Sequence, residues 1–417
     1  MQHIIIGAGP AGVIAAETLR KCDPAASITI IGDEPEPPYS RMAIPYYLSN
    51  KIEESGNYLR DPGEHYSKQN IELVQQKVDK IDTGAKQIAL ADGSSRAYDK
   101  LLIATGSSPI SPPIPGLDLP QVHSCWTLQD ARAIIELAKE GANVVLIGAG
   151  FIGSIILEAL VKRGVKLSVV ETDNRMVPRM LNEKAGGLLK QWCVDKGIDV
   201  RTSCSVETLT AGDEGEVQVS LSDGSKISAA LVITATGVKP NIDLLDGSDI
   251  KVEQGVLVNN CMQTSNSDVY AAGDVAQGMD FSTGNFEVQA IQPTATDHGR
   301  IAALNMSGNT TEHHGTVNMN VLDTLGLVSC SFGLWMGVDG GEQAELYNAD
   351  EFKYINLQFD GNYLVGASSI GKTQHIGVLR GLIESKIDLG DWKNRLMKDP
   401  TCIMEAYIAS TQVLGYS

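Results

Sequence analysis

The chain has 417 residues, 43% of them apolar, and a formal charge of −18 at pH 7. That is more chain than one hydrophobic core normally serves, so two or three domains are expected. The acidic balance disfavours nucleic acid as a partner, because a polyanion meets a repulsive mean field.

Seven scattered cysteines without a CxxC pair give neither a dithiol centre nor an iron–sulfur cluster its usual local spacing, and no metal site is expected. Their odd number and sparse placement fit a reducing cytosol better than a disulfide framework. The start, MQHIIIGAGPAG, enters a nucleotide-binding signal where a leader needs a basic region and a long apolar stretch. No run approaches the roughly 20 apolar residues of a spanning helix. The chain therefore reads as cytoplasmic and without a membrane span.

In chain order, a short apolar strand at Ile4 to Ile6 runs into Gly7-Ala8-Gly9-Pro10-Ala11-Gly12 and a helical AGVIAAETLR. A second strand, Ser27 to Ile31, ends before Asp33 and Glu34. This strand, glycine turn, helix, strand unit returns at Asn143 to Ile147, Gly148-Ala149-Gly150-Phe151-Ile152-Gly153, a helix through Leu160, and Lys166 to Val170 ending at Glu171. The repeat predicts two dinucleotide folds.

Each fold also has a later strand ending in a Thr-Gly turn, LLIATGSSP with Ala104, Thr105 and Gly106, and LVITATGVKPN with Gly237. Prolines between Ser108 and Leu119 forbid a helix and mark a domain crossing, and a second crossing is expected near Asp243 to Gly255. From about Gly315, YINLQF and YLVGAS flank Asp360-Gly361-Asn362, a hairpin turn, and helices are expected at His375 to Lys386 and Trp392 to Met397.

The chemistry of the glycine turns is specific. Gly7 permits the tight turn, Gly9 lets the backbone approach a pyrophosphate, and Gly12 seats the helix close to the sheet, so the diphosphate meets free N–H groups at the helix start. A carboxylate after the second strand would take the adenosine ribose hydroxyls. Asp33 or Glu34 fills that need, with Glu34 preferred. In the second fold Gly148, Gly150 and Gly153 repeat the pattern. Glu171 there accepts from both ribose hydroxyls and repels a 2′-phosphate, which favours NADH over NADPH. Arg175, four residues on, is the side chain that could reach back to such a phosphate.

With these motifs in place, the sequence resembles the pyridine nucleotide:flavin oxidoreductases, within them the ferredoxin or rubredoxin reductases, the NADH oxidases and the flavin part of assimilatory nitrite reductases. The resemblance covers the chain to about Asn305 and the rest more loosely. It implies an α/β fold class: two Rossmann-like, three-layer dinucleotide-binding domains, the second inserted in the first, plus an α+β C-terminal domain. FAD would be held by residues 1–112 and 245–314 and NAD(H) by 113–244, with 315–417 as the C-terminal domain and a candidate homodimer surface. TSNSDVYAAGDVA, containing Gly273 and Asp274, matches the segment whose aspartate holds the flavin's ribityl chain. Arg41 matches an arginine at the pyrophosphate side of FAD. Phe151 falls where relatives place an aromatic ring over the nicotinamide pocket, or else packs the first helical turn.

Three departures bear on mechanism. Met42 stands where the NADH oxidases, peroxidases and coenzyme A disulfide reductases carry a redox cysteine, and a thioether forms neither thiolate nor disulfide. Tyr46 stands where ferredoxin reductases have a lysine, so it offers a hydroxyl without a charge, or simply packs. Ile155 replaces a glutamate common in relatives, which hydride transfer between stacked rings does not require. The expected activity is an NADH oxidoreductase that passes electrons through FAD to an external acceptor, a rubredoxin or ferredoxin-like protein, with Tyr46 and Phe151 as candidate catalytic residues. The alternatives are an oxygen-reducing NADH oxidase and a weakly catalytic, NADH-responsive FAD subunit. The charge of −18 weighs against an acidic acceptor unless a local basic surface exists.

Overall fold

The computed structural model describes residues 1–412, the side chains of Glu214 and Gln412 excepted. Two compact units divide it: Met1–Ile110 with Val238–Thr316, and Ser111–Gly237 with the segment from Val317 on.

In the first unit the apolar strand Gln2–Ile6 is the centre of a five-stranded sheet ordered Val269–Ala271, Lys100–Ile103, Gln2–Ile6, Ser27–Gly32, Ile71–Gln75. Every pairing is parallel. Strands buried on both faces must be apolar throughout, which is why Ile4, Ile5, Leu101, Leu102 and Ile103 run without alternation. The helices Pro10–Cys22 and Gln292–Met306 pack closely, since a β-carbon on Gly299 would lie 2.3 Å from the Ala11 carbonyl oxygen. A three-stranded antiparallel sheet, Val78–Asp82, Gln87–Leu90 and Ser95–Ala97, fills the chain between the third and fourth strands of the parallel sheet.

The second unit repeats this plan strand for strand: Asp199–Arg201, Lys166–Val170, Asn143–Ile147, Leu231–Thr234, Val122–Ser124, all parallel. Its own antiparallel trio, Val206–Ala211, Val217–Leu221 and Lys226–Ala229, occupies the equivalent place. Ser107–Pro109 and Val238–Pro240, the ends of the first unit's two segments next to the divisions, pair antiparallel with each other. The second division falls after Gly237, ahead of the crossing expected near Asp243 to Gly255.

The segment from Val317 on forms a five-stranded antiparallel sheet, Met319–Thr324, Leu327–Gly333, Tyr363–Ile370, Lys353–Asp360, Glu342–Asn348. Asp360 pairs with Tyr363, leaving Gly361 and Asn362 as the hairpin loop, with Gly361 at φ +55°. Helices follow at Ile376–Ser385, Asp391–Lys398 and Ile403–Gln412. This segment groups with the second unit. Asn182 Nδ2 donates to the Tyr354 hydroxyl at 2.6 Å, and the Trp192 ring N–H donates to the Thr324 carbonyl at 3.1 Å.

Candidate functional site: two glycine cradles

In the first unit, Gly7 sits at φ +120°, a conformation L side chains avoid, and a β-carbon there would lie 2.0 Å from the Ala104 carbonyl oxygen. One on Gly12 would lie 2.0 Å from the Gly7 carbonyl oxygen. Gly9 differs: a β-carbon would meet nothing within 4 Å. Two glycines are thus demanded by the fold and the middle one faces open space, as a backbone that must admit a phosphate requires. The helix starts at Pro10, with Gly9 as its N-cap, no side-chain cap and no acid in its first turn. Its first amides and dipole are therefore available to an anion.

Around this turn the structure gathers the predicted acids and Arg41. The Glu34 carboxylate accepts from the Tyr39 hydroxyl at 2.5 Å and from Arg41 at 2.6 Å, and Arg41 also donates to the Tyr39 hydroxyl at 2.7 Å. The sequence and its resemblance imply separate parts of one cofactor for Glu34 and Arg41; the structure pairs them directly and adds the Tyr39 hydroxyl as a partner of both. Asp274 follows Gly273 in a tight turn, Gly273–Val275, and accepts from Ser107 Oγ at 2.8 Å. Burial pushes the Asp274 carboxyl above the usual carboxylate range, while the Ser107 hydrogen bond and the positive charge of Arg41 pull it back.

The Thr105-Gly106 turn is held by Asn241. The Asn241 side chain donates to the Thr105 carbonyl at 2.9 Å, and the Thr105 hydroxyl donates to the Asn241 carbonyl at 2.8 Å. Ser40 Oγ lies 2.5 Å from Gln292 Oε1, which ties the segment bearing Arg41, Met42 and Tyr46 to the start of the helix Gln292–Met306. Met42 and Tyr46 are 50% and 51% exposed, and the Lys51 ammonium lies 5.4 Å from the centroid of the Tyr46 ring. Tyr46 is therefore not packed away.

The second cradle has the same construction. Gly148 is at φ +101°, and its β-carbon would lie 2.5 Å from the Ala235 carbonyl oxygen. A β-carbon on Gly153 would lie 2.2 Å from the Gly148 carbonyl oxygen, and one on Gly150 would meet nothing within 4 Å. The helix Phe151–Lys162 starts there without a side-chain cap, carrying Phe151, Ile152 and Ile155, all partly buried. Glu171, 6% exposed, accepts from the Ala149 amide at 2.7 Å and from the Asp173 amide at 2.9 Å. Arg175 donates to the carbonyls of Leu181 at 2.8 Å and Pro178 at 3.2 Å and to Asn174 Oδ1 at 2.8 Å. Those bonds fold its guanidinium into its own loop.

Both cradles fit a dinucleotide: an open glycine between two that the fold requires, an uncapped helix start, and a carboxylate after the second strand. Residues 1–298 match the family model described as pyridine nucleotide-disulphide oxidoreductase. The chain belongs to that family. FAD and NAD(P)H are the cofactors typical of it, and the chain is a flavin-dependent NAD(P)H oxidoreductase of the type that includes rubredoxin and ferredoxin reductases and NADH oxidases.

Among members of the family, the epsilon subunit of NADH-dependent phenylglyoxylate dehydrogenase from Aromatoleum evansii is 31% identical over 98% of both chains. Rhodocoxin reductase from Rhodococcus erythropolis is 30% identical, over 93% of this chain and 91% of that one. The solved structure of a NAD-dependent persulfide reductase from A. fulgidus superposes with a TM-score of 0.86 at 26% identity, over 94% of this chain and 79% of that one. No helix among the described residues is long and apolar enough to cross a membrane, and none of their acidic, histidine and cysteine side chains cluster in a way that could hold a metal ion.

Proposed function

We propose that this family member takes electrons from NADH, in preference to NADPH, at the second cradle, and passes them through FAD held at the first to an external small redox protein without using a thiol of its own. Bound FAD would supply the two-electron chemistry. Gly7, Gly9, Pro10, Gly12, Glu34, Arg41, Ala104, Thr105, Gly106, Gly273 and Asp274 are the residues we assign to hold it. Gly148, Gly150, Phe151, Ile152, Gly153, Glu171 and Gly237 are assigned to the nicotinamide coenzyme. Phe151 is assigned to shield the nicotinamide pocket, and Tyr46, with Lys51 against its ring, to offer a hydroxyl to the flavin.

The single observation that carries the thiol-free reading is Met42 at the redox-cysteine position, because a thioether cannot relay electrons as a disulfide does. All seven cysteines are free, and burial pushes the thiols of Cys125, Cys193 and Cys330 up to about 12, which keeps them neutral and unreactive at pH 7. Free thiols also support a reducing, cytoplasmic setting. The NADH preference rests on Glu171 standing ready at the glycine turn and on Arg175 being tied to its own loop. An external protein acceptor accords with the name of rhodocoxin reductase.

The test is anaerobic reduction of the purified protein by NADH, followed by stopped-flow reoxidation with oxygen or with candidate iron–sulfur and rubredoxin-type acceptors. Fast reoxidation by a protein acceptor and slow reoxidation by oxygen are expected. Fast direct reaction with oxygen alone would make the chain an oxidase instead. A second reading is favoured by the end-to-end match to an epsilon subunit: the acceptor would then be a permanent partner of a larger dehydrogenase. Copurification of a stoichiometric partner would distinguish the two.

A further inference from the structure

The segment assigned to the ribityl chain contains a hydroxyl that no motif names. Ser107 directly follows the Ala104-Thr105-Gly106 turn, is 4% exposed, and gives its Oγ proton to Asp274 Oδ2 at 2.8 Å. The two are 167 residues apart in sequence. Against burial, the Asp274 carboxyl is held down by Ser107, by the charge of Arg41 and by a hydrogen bond at its own backbone. Ala11 and Ala295 flank Gly273, and the helix that supplies Ala295 begins with Gln292, Pro293 and Thr294, none of which titrates. The charge that acts on Asp274 comes from Arg41, and Arg41 is already engaged by Glu34 at 2.6 Å. A buried carboxylate with a divided counter-charge depends strongly on its hydrogen-bond donor.

We propose that Ser107 is a positioning residue that keeps Asp274 ionised, and that this pair thereby sets the pH below which the protein releases FAD. The proposal rests on the reading of Asp274 as the acceptor for the flavin's ribityl hydroxyls. Ser107 engages Oδ2, and Oδ1 is the atom assigned to the cofactor. An ionised carboxyl accepts from a cofactor hydroxyl more strongly than a protonated one does. FAD affinity is therefore level above the pKa that Asp274 has without cofactor and falls below it, by at most about tenfold per pH unit, until the pKa of the complex is reached. Burial raises that pKa and the Ser107 hydroxyl lowers it, so removing the hydroxyl moves the fall to higher pH.

The experiment follows FAD release from the holoprotein by flavin fluorescence between about pH 4.5 and 8. Ser107→Ala is expected to match wild type at pH 8 and to lose FAD about one pH unit higher, so that on the wild-type shoulder its FAD dissociation constant is about tenfold larger. Ser107→Thr, which keeps the hydroxyl, is expected to restore the wild-type profile. In an Asp274→Asn background the Ser107→Ala shift should vanish, which separates this pair from every other acid-sensitive group in the protein. The carbon-13 carboxyl resonance that disappears in Asp274→Asn should titrate at higher pH in Ser107→Ala apoprotein, a readout that does not need bound FAD. Uniform weakening at all pH values, coincident profiles, or a shift that persists in Asp274→Asn would each overturn the proposal while leaving the flavin assignment standing. A wild-type protein that holds no FAD at any pH would sink the assignment of Asp274 and the proposal together.

Discussion

Glu171 accepts a 2.7 Å hydrogen bond from the amide of Ala149, the residue between the first two glycines of the second cradle. The acid that is to recognise the coenzyme ribose is thus fixed against the turn that is to bind its diphosphate. A carboxylate so held is already in place to accept from ribose hydroxyls and to repel a 2′-phosphate. The expected outcome is a kcat/KM for NADH at least about tenfold above that for NADPH, about 1.4 kcal/mol of discrimination, measured with ferricyanide as common acceptor. Glu171→Gln keeps an oxygen for the Ala149 amide but removes the charge. It should lower NADH efficiency and bring the two coenzymes within a few-fold of each other. Equal efficiencies in the wild type would contradict the reading and point to Arg175.

The glycine cradles predict two kinds of alanine variant. At Gly9 the backbone is extended, φ −80° and ψ −174°, and a methyl group meets nothing within 4 Å. Gly9→Ala should leave the apoprotein's stability within about 0.5 kcal/mol while weakening FAD binding at least about tenfold, because the methyl occupies the space assigned to the pyrophosphate. Gly12→Ala drives a β-carbon to 2.0 Å from the Gly7 carbonyl oxygen and should cost about 1–3 kcal/mol of stability whether or not FAD is present. Urea unfolding of the apoproteins with parallel FAD titrations checks both. If Gly9→Ala binds FAD normally, the first cradle is not the flavin site.

His298, 4% exposed, stacks edge-on against His313 with ring centroids 4.8 Å apart, and the Nδ1 atom of each is buried without a hydrogen-bond partner. Burial, with His313 beside it, pushes His298 down to about 3, and His313 is lowered too, chiefly by burial. In the unfolded chain each ring takes up a proton near pH 6.5 that the folded protein refuses. The stability this gives is fully present above pH 6.5 and is lost as pH falls toward 3, by about 2 kcal/mol for His298 at pH 5. His298→Phe should therefore lose less stability than wild type between pH 7 and pH 5 when the apoproteins are unfolded in urea. A steeper loss in the variant would contradict the burial of a neutral ring.

What could be read in the sequence followed the range of the forces involved. Gly12 and Gly153 were legible because a turn five residues back imposes them, and Gly7 and Gly148 because they share that turn, though it is the distant carbonyls of Ala104 and Ala235 that exclude a side chain there. The Asp360-Gly361-Asn362 hairpin was legible as a local turn. Ser107 and Asp274 were not legible as a pair, since nothing local links positions 167 residues apart. Glu34 and Arg41 carry opposite charges seven residues apart and pair directly, but the Tyr39 hydroxyl that bonds to both is a third partner that no charge pattern announces. Arg175 looked able to reach a phosphate because its acceptors are backbone carbonyls, which every residue has and no sequence advertises. In the C-terminal sheet, Met319–Thr324 and Glu342–Asn348 mix polar and apolar residues on exposed edges and lack the clean alternation of YINLQF.

The central claim, that FAD is the only two-electron store in the chain, is tested most directly by anaerobic titration of the flavin with NADH before and after alkylation of accessible thiols. With Met42 at the redox-cysteine position, the flavin should bleach with one equivalent of NADH per FAD, and alkylation should change neither the end point nor turnover with an acceptor. Uptake of two equivalents, with a charge-transfer band preceding bleaching and the second equivalent lost on alkylation, would show that a cysteine takes part and would contradict the account.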